Sequence, residues 1–300
     1  MIQNRLHKRF VELSTPLDCI PTDTVPLIQV LGNIKLIAYD FYGTLFISGV
    51  GDIGIDDGNP DSGSLSGAFA GCGIHILQKS AATEGFIIYN RIVSEHINRL
   101  KEKGISYPEP DIREVWKQVL NEMSEQKLIS YEPDGAIYDL MSVEFEARMN
   151  PVWPMPGAIE TLLAFRQAGI TQGIISNSQF YTPIALEALT GLSLKELGFA
   201  DTLLHWSFEE NMKKPGVDFY KRYLKKVAGF DPSISPDQIL YIGNDMLKDI
   251  WPAHTLGMKT ALFAGDKRSL KWRKEDERCK DLKPDLVVTS LDQIRSAVIL

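Results

Sequence analysis

The stretch IKLIAYDFYGTLF, residues Ile34 to Phe46, decides how the chain is read. Lys35 to Tyr39 form a short apolar run with Lys35 as the one charge, and Gly43-Thr44 punctuates it soon after. The run predicts a buried strand that delivers Asp40 to its carboxyl end. Ligands of open α/β sheets bind outside the carboxyl ends of the strands, so Asp40 is placed to act as a nucleophile on whatever enters that crevice. An aspartate after a strand is also a common turn former or helix cap. Later stretches decide between the two readings.

The chain has 300 residues, of which 44% are hydrophobic and 24% charged, an ordinary globular composition that allows one large domain or two smaller ones. A net charge of -7 argues against nonspecific binding to nucleic acid or to anionic membranes and leaves small molecules as the expected partners. Cys19, Cys72 and Cys279 are scattered without metal-ligand spacing, which predicts reduced, buried thiols and a cytoplasmic setting. Arg5, Lys8 and Arg9 are not followed by an apolar signal region, and no run approaches a membrane span in length.

Taken in order, residues 1–33 hold Pro16, Pro21 and Pro26 among short apolar pieces and predict an extended arm. Residues 34–47 are assigned to the first part of a core. From Gly49 to Gly73 glycines alternate with Asp52, Asp56, Asp57 and Asp61, which reads as a long flexible loop. Gly49 to Gly54 matches a dinucleotide fingerprint, but turn chemistry rather than a helix follows, and the acids lack the spacing of a calcium loop. From Ser80 to Asn150 the apolar period is helical, with Asp111 as an N-cap and Glu114 three residues on. His75 and His96 in or near this region read as core or surface histidines rather than ligands. Residues 48–154 are thus expected to be a mainly helical insert, closed by Pro151, Pro154 and Pro156.

Residues 155–300 alternate helix and strand, the pattern of a parallel sheet covered on both faces. Helices are expected near Gly157–Ala168, Pro183–Leu189, Leu194–Leu197, Val217–Val227 and Ala253–Leu256. Strands are expected at Gly173–Ile175, Leu203–Trp206, Gln238–Ile242, Lys259–Phe263 and Leu286–Val288. The charged stretch Asp266–Lys283 reads as a solvated insertion. Four element ends carry polar groups: Asp40, Ser176 with Asn177, Lys214 at a helix start, and Asp245 with Asp249. A carboxylate attacking phosphorus must overcome repulsion from an anionic substrate, and a lysine and a divalent cation would offset it. Ser176 can donate to a phosphoryl oxygen and Lys214 can act as a fixed positive charge.

These motifs resemble the haloacid dehalogenase superfamily of hydrolases. DFYGTL is similar to its first motif, IISNS to its second, KKPGVDFY to its third and YIGNDMLKDIWPAHTLGM to its fourth, and the helical insert sits where that family places a cap of the first type. The resemblance implies a Rossmann-like core with a cap. It implies Asp40 as a nucleophile forming an aspartyl intermediate, with Ser176 and Lys214 orienting and neutralising the substrate, and Thr44, Asn177 and Tyr42 as further substrate contacts. It also implies magnesium held by Asp40, the carbonyl of Tyr42 and the fourth motif, where Asn244, Asp245 and Asp249 are all candidates. Phosphatases of the family carry a second aspartate where this chain has Tyr42, and a phenol with an ordinary pKa near 10 is a poor proton donor at neutral pH. Tyrosine there looks like the 2-haloacid dehalogenases, whereas the acids of the fourth motif look like the phosphatases. Three expectations follow: a magnesium-dependent phosphatase on a small phosphorylated metabolite, a metal-independent 2-haloacid dehalogenase, and a catalytically degenerate protein that binds a phosphorylated ligand.

Overall fold

The apolar run before Asp40 is strand β1 (Leu36–Tyr39), and all of its residues are buried. In the computed structural model, which describes residues 2–51 and 62–298, β1 lies inside an all-parallel sheet. Helix α1 (Ile2–Leu13) precedes it. After it come β2 (Phe46–Ser48), α2 (Ser62–Cys72), β3 (His75–Ile76), α3 (Ala81–Glu102), α4 (Ile112–Glu125), β4 (Ile129–Ser130) and α5 (Gly135–Met149). The chain continues through β5 (Val152–Pro154), α6 (Ala158–Gln167), β6 (Thr171–Ser176), α7 (Thr182–Thr190), β7 (Phe199–Trp206), α8 (Ser207–Glu210) and α9 (Val217–Phe230). It closes with β8 (Ile239–Gly243), a π-helical turn (Met246–Ile250), α10 (Trp251–Thr255), β9 (Lys259–Phe263), β10 (Leu286–Val288) and α11 (Gln293–Ala297).

The main sheet has the order β10-β9-β8-β1-β6-β7. Leu36 is in register with Thr171 of β6 on one side and Ile239 of β8 on the other, so these three strands end side by side. Successive residues of β1 face opposite layers, as the period of a strand requires. Ile37 and Tyr39 pack with Ile174, Ile242 and the α6 residues Leu162 and Phe165, whereas Leu36 and Ala38 pack with Ile175 and the α9 residues Phe219 and Tyr223. Both faces are covered, which suits a parallel sheet of near-continuous apolar strands. Helices α2 to α5 build a further core around Phe69, Trp116, Val119 and Leu140, to which α1 adds Leu6 and Phe10 and α7 adds Ala185. No helix among the described residues is long and apolar enough to cross a membrane.

Three expectations about secondary structure are corrected. Residues 14–33 do run along the sheet edge, with Leu27 and Val287 exchanging backbone bonds at 2.8 and 2.9 Å, but residues 2–13 form a helix. Ile2, Leu6, Phe10 and Leu13 lie on one helical stripe, which the prolines downstream obscured. The second half of the glycine-rich stretch is helix α2 and not loop: Leu65, Ala68, Phe69 and Cys72 fall at helical spacing and are buried. Its glycines serve close approach, because a Cβ at Gly67 would meet Arg148 and one at Gly71 would meet the Glu144 carboxylate, both on α5. Asp52 to Asp61, with most of the fingerprint and the acidic cluster, lie outside the described residues. Finally, Leu194–Leu197 is a turn closed by Ser193 and Glu196, not a helix. Asp111 does cap α4, accepting from the backbone N–H of Arg113 at 2.9 Å.

Two outcomes test this packing. Alanine for glycine in an open helix stabilises by about 0.5–1 kcal/mol; Gly71→Ala should instead lower the urea-derived unfolding free energy by about 1–3 kcal/mol, since Glu144 is buried and held by Arg9 and Arg148. His205 is fully buried and bonded through Nε2 to the Phe219 carbonyl at 2.9 Å, and burial, then Lys226, push its pKa from 6.5 down to about 4. The unfolded chain therefore binds the extra proton first, and stability is lost as pH falls through the window from 6.5 to 4. The loss at pH 5 should be about 2 kcal/mol relative to pH 7, and His205→Gln should remove that part of the slope in urea titrations.

Candidate active site

Asp40 extends the ladder of β1 by one bond, its N–H donating to the Ile242 carbonyl at 2.8 Å, so its side chain begins where the sheet stops. Oδ1 of its carboxylate accepts from the Phe41 N–H at 2.8 Å and from Lys214 Nζ at 2.7 Å. Oδ2 has no hydrogen bond among the described residues. Gly43, at φ 79°, makes the turn that follows, and a Cβ there would stand 2.8 Å from Asn244 Oδ1 and 2.7 Å from Ser269 Cβ. The residue type is dictated by space as well as by backbone conformation.

Lys214 is 3% exposed and lies just before the cis peptide to Pro215 at the entry to α9. Its N–H donates to Asn177 Oδ1 at 2.8 Å, so the loop after β6 fixes the base of the lysine. Its ammonium donates to Asp40 and, at 2.6 Å, to Asp249 Oδ1, and also to the Tyr241 hydroxyl at 3.3 Å. Burial opposes the charge, but Asp249 and then Asp40 outweigh it and raise the lysine pKa. Burial pushes Asp249 up to about 7 against the opposing pull of Lys214. One cation is shared by two carboxylates, and the cluster carries excess negative charge.

The fourth motif closes the other side. Asp249 Oδ2 accepts from the Asp245 N–H at 2.9 Å. Asp245 caps the π-helical turn through the N–H groups of Leu247 and Lys248 at 2.8 and 3.1 Å, and its Oδ2 is held by Arg273 at 2.7 Å. Asn244 Oδ1 accepts from Thr44 Oγ1 at 3.2 Å, and its amide donates to the Ser269 carbonyl at 2.7 Å. A crevice opens among Asp40, Tyr42, Asn177, Lys214, Asn244, Asp245 and Asp249, with Ser48, Gly51, Lys248 and Lys271 completing its lining.

Among the predicted residues, two sit apart from the crevice lining. The Ser176 hydroxyl is fully buried at the end of β6 and has no hydrogen-bond partner among the described residues, and Thr44 is fully buried beneath Asn244. Tyr42 lines the crevice, but its hydroxyl bonds to Thr182 Oγ1 at 3.0 Å. Burial and then the Glu146 carboxylate push its pKa further above the ordinary value, so the phenol is a poor general acid at neutral pH. The expectation for Asp266–Lys283 is overturned for its first part. Asp266 and Ser269 are buried, and the segment bonds to Asn244 and Asp245 because its charges pair inward. Lys271 and Arg273 were missed for that reason, and Tyr241 because nothing in an apolar strand marks a tyrosine as polar contact.

Among the described residues, no three histidine, cysteine, aspartate or glutamate side chains form a ready-made metal cage. Magnesium usually keeps waters and takes one or two carboxylates, with hard oxygens as its other ligands. The donor set here fits that chemistry: Asp40 and Asn244 supply carboxylate and amide oxygens, and the Asp40–Lys214–Asp249 cluster has negative charge to spare.

Strand order and strand-end chemistry define an α/β hydrolase of the type in which an aspartate follows the first core strand. The chain belongs to the haloacid dehalogenase-like hydrolase family, whose sequence profile matches residues 89–263. It is 30% identical over 141 residues to a glyceraldehyde 3-phosphate phosphatase of Pyrococcus furiosus, covering 47% of this chain and 52% of that one. A glyceraldehyde 3-phosphate phosphatase of Methanocaldococcus jannaschii is 29% identical over 141 residues, covering 47% of this chain and 54% of that one. The matches thus span about half the length of these relatives. In fold, the chain is similar to the crystal structure of a 2-haloacid dehalogenase from Pseudomonas syringae pv. Tomato, with a TM-score of 0.52 at 19% identity over 88% of this chain and 97% of that one.

Replacing Lys214 by Met leaves two buried carboxylates without their cation. Unfolding free energy at pH 7 should fall by about 3–5 kcal/mol in urea titrations, and adding Asp249→Asn should recover a measurable part. Equal stability of the single variant and the parent would contradict the shared-cation geometry.

Proposed function

We propose that the protein is a magnesium-dependent phosphatase that hydrolyses a small phosphorylated metabolite through an aspartyl phosphate on Asp40. The observation that carries the reading is the pairing of Asp40 Oδ1 with Lys214 at 2.7 Å, which leaves Oδ2 to attack. The two phosphatase relatives support phosphorus over carbon–halogen chemistry. Oδ2 forms a bond to phosphorus as the ester oxygen departs with its electron pair. Water then attacks the same phosphorus, the bond to Asp40 breaks and orthophosphate leaves. Lys214 holds the nucleophile in one rotamer and offsets charge beside it. Asn177 positions Lys214 through its backbone. Asp40, the Tyr42 carbonyl and Asn244 would hold magnesium, with Asp245 and Asp249 behind them, and the bound ion supplies positive charge against the phosphoryl oxygens.

Residues 48–154 serve in this reading as a cap that excludes water from the crevice. Because Tyr42 is a poor acid, esters whose leaving group departs readily as an anion are turned over best. Tyr42 is also the observation that favours a second reading, dehalogenation of a short 2-haloacid, where the departing halide needs no proton.

A chromogenic phosphate ester should be hydrolysed with magnesium and lose turnover by at least about a thousandfold in Asp40→Asn. Tyr42→Asp should raise turnover of esters with poor leaving groups by about tenfold or more, as a restored acid does. Halide release from chloroacetate without phosphate release, abolished by Tyr42→Asp, establishes the second reading. Saturable binding of phosphate esters without turnover of either substrate would make the protein a binding module.

A further inference from the structure

The loop from Asp266 to Arg273 lies outside the four motifs, yet it is built into the crevice. The N–H of Lys271 donates to the Asn244 carbonyl at 3.0 Å, and the Lys271 carbonyl accepts from the Met246 N–H at 2.9 Å. Lys271 is therefore clamped on both sides by the fourth motif. Two side-chain bonds reinforce the clamp, from Asn244 to the Ser269 carbonyl at 2.7 Å and from Arg273 to Asp245 at 2.7 Å. Gly51 abuts the same loop, since a Cβ there would collide with the Arg268 carbonyl.

Among the described residues, charge pairing leaves the Lys271 side chain over. The carboxylates facing the crevice already have cations, Lys214 for Asp40 and Asp249, and Arg273 for Asp245. The half-buried ammonium of Lys271 lines the same space, donates only to the Arg268 carbonyl at 3.2 Å, and has no carboxylate within 4.0 Å among the described residues. A partly desolvated ammonium held beside a crevice, with no carboxylate partner among the described residues, is suited to a ligand's anion.

We propose that Lys271 receives an anionic oxygen of the substrate and so sets which phosphoesters the crevice accepts. The inference rests on the phosphatase reading, and it names the loop after β9 as a substrate-binding wall. The backbone clamp presents the ammonium in place before the ligand arrives, so little ordering is needed on binding. The anionic oxygen belongs either to the transferring phosphoryl group or to an acidic group on the carbon side of the ester, and two substrates tell them apart.

Steady-state kinetics of the full chain, Lys271→Ala and Lys271→Arg on p-nitrophenyl phosphate and p-carboxyphenyl phosphate provide the test. Lys271→Ala should raise KM by about tenfold or more with a much smaller change in kcat, and Lys271→Arg should recover most of the loss. A rise for both esters places the lysine on the phosphoryl group, and a rise for the carboxylated ester alone places it on the acidic tail. Unchanged KM for both overturns the inference. If the parent protein turns over neither ester, the phosphatase reading fails, and thermal stabilisation by orthophosphate and by p-carboxyphenyl phosphate then decides. Weaker stabilisation of Lys271→Ala by either compound supports an anion site at Lys271, and equal stabilisation by both overturns it.

Discussion

A single buried ammonium shared between Asp40 and Asp249 is the constraint on which the site depends. The three groups come from the end of β1, the entry to α9 and the π-helical turn after β8, so they meet only if β8 and β6 flank β1 in parallel. Burying such a cluster is not a route to stability, because desolvation cancels most of the Coulomb attraction. Its effect is geometric. Lys214 is held from below by Asn177 and from the side by the Tyr241 hydroxyl, which itself donates to the Ile175 carbonyl at 2.8 Å. The Asp40 carboxylate is thereby fixed by contacts that reach across the neighbouring strand β6.

The same wiring shows why the second residue after Asp40 has a different use here. Tyr42 ties its hydroxyl to Thr182 at the start of α7, and its ring packs edge-on against Phe41 at 4.9 Å between centroids. A side chain bonded into the scaffold cannot also swing toward a leaving group. The position where family phosphatases carry a second aspartate therefore carries packing here, while the Asp40–Lys214 pair beside it stays intact.

Much of this was legible in the sequence where one signal dominated. Strands β9 and β10 fall at the expected residues, and β1, β6 and β8 lie within two residues of them, because uninterrupted apolar runs admit few other readings. Asp40, Lys214, Asp245 and Asp249 do converge, since polar groups at strand ends share one edge of a parallel sheet. The failures have physical causes. Glycine in α2 signals close helix contact, which composition cannot tell from a loop. Dense charge near Arg268 and Arg273 reads as solvated, yet each guanidinium turns inward to an aspartate, Asp266 or Asp245. Sequence carries the charges and not their pairing.

Pairing between distant segments also fixes the helical layer to the sheet. Tyr107 accepts from the Lys213 N–H at 2.8 Å, and Glu109 donates its N–H to the Asn211 carbonyl at 3.2 Å, so the link between α3 and α4 lies along the segment that leads into Lys214. Helix α1 adds a second tie, with Arg9 paired to the buried Glu144 of α5 and His7 3.5 Å from Glu187 of α7. Swinging the layer away as a rigid unit would break backbone bonds one residue from the cation that orients Asp40. Motion there is costly, and the crevice keeps its shape through side chains already lining it, among which the loop after β9 presents the ammonium of Lys271, with no carboxylate within 4.0 Å among the described residues.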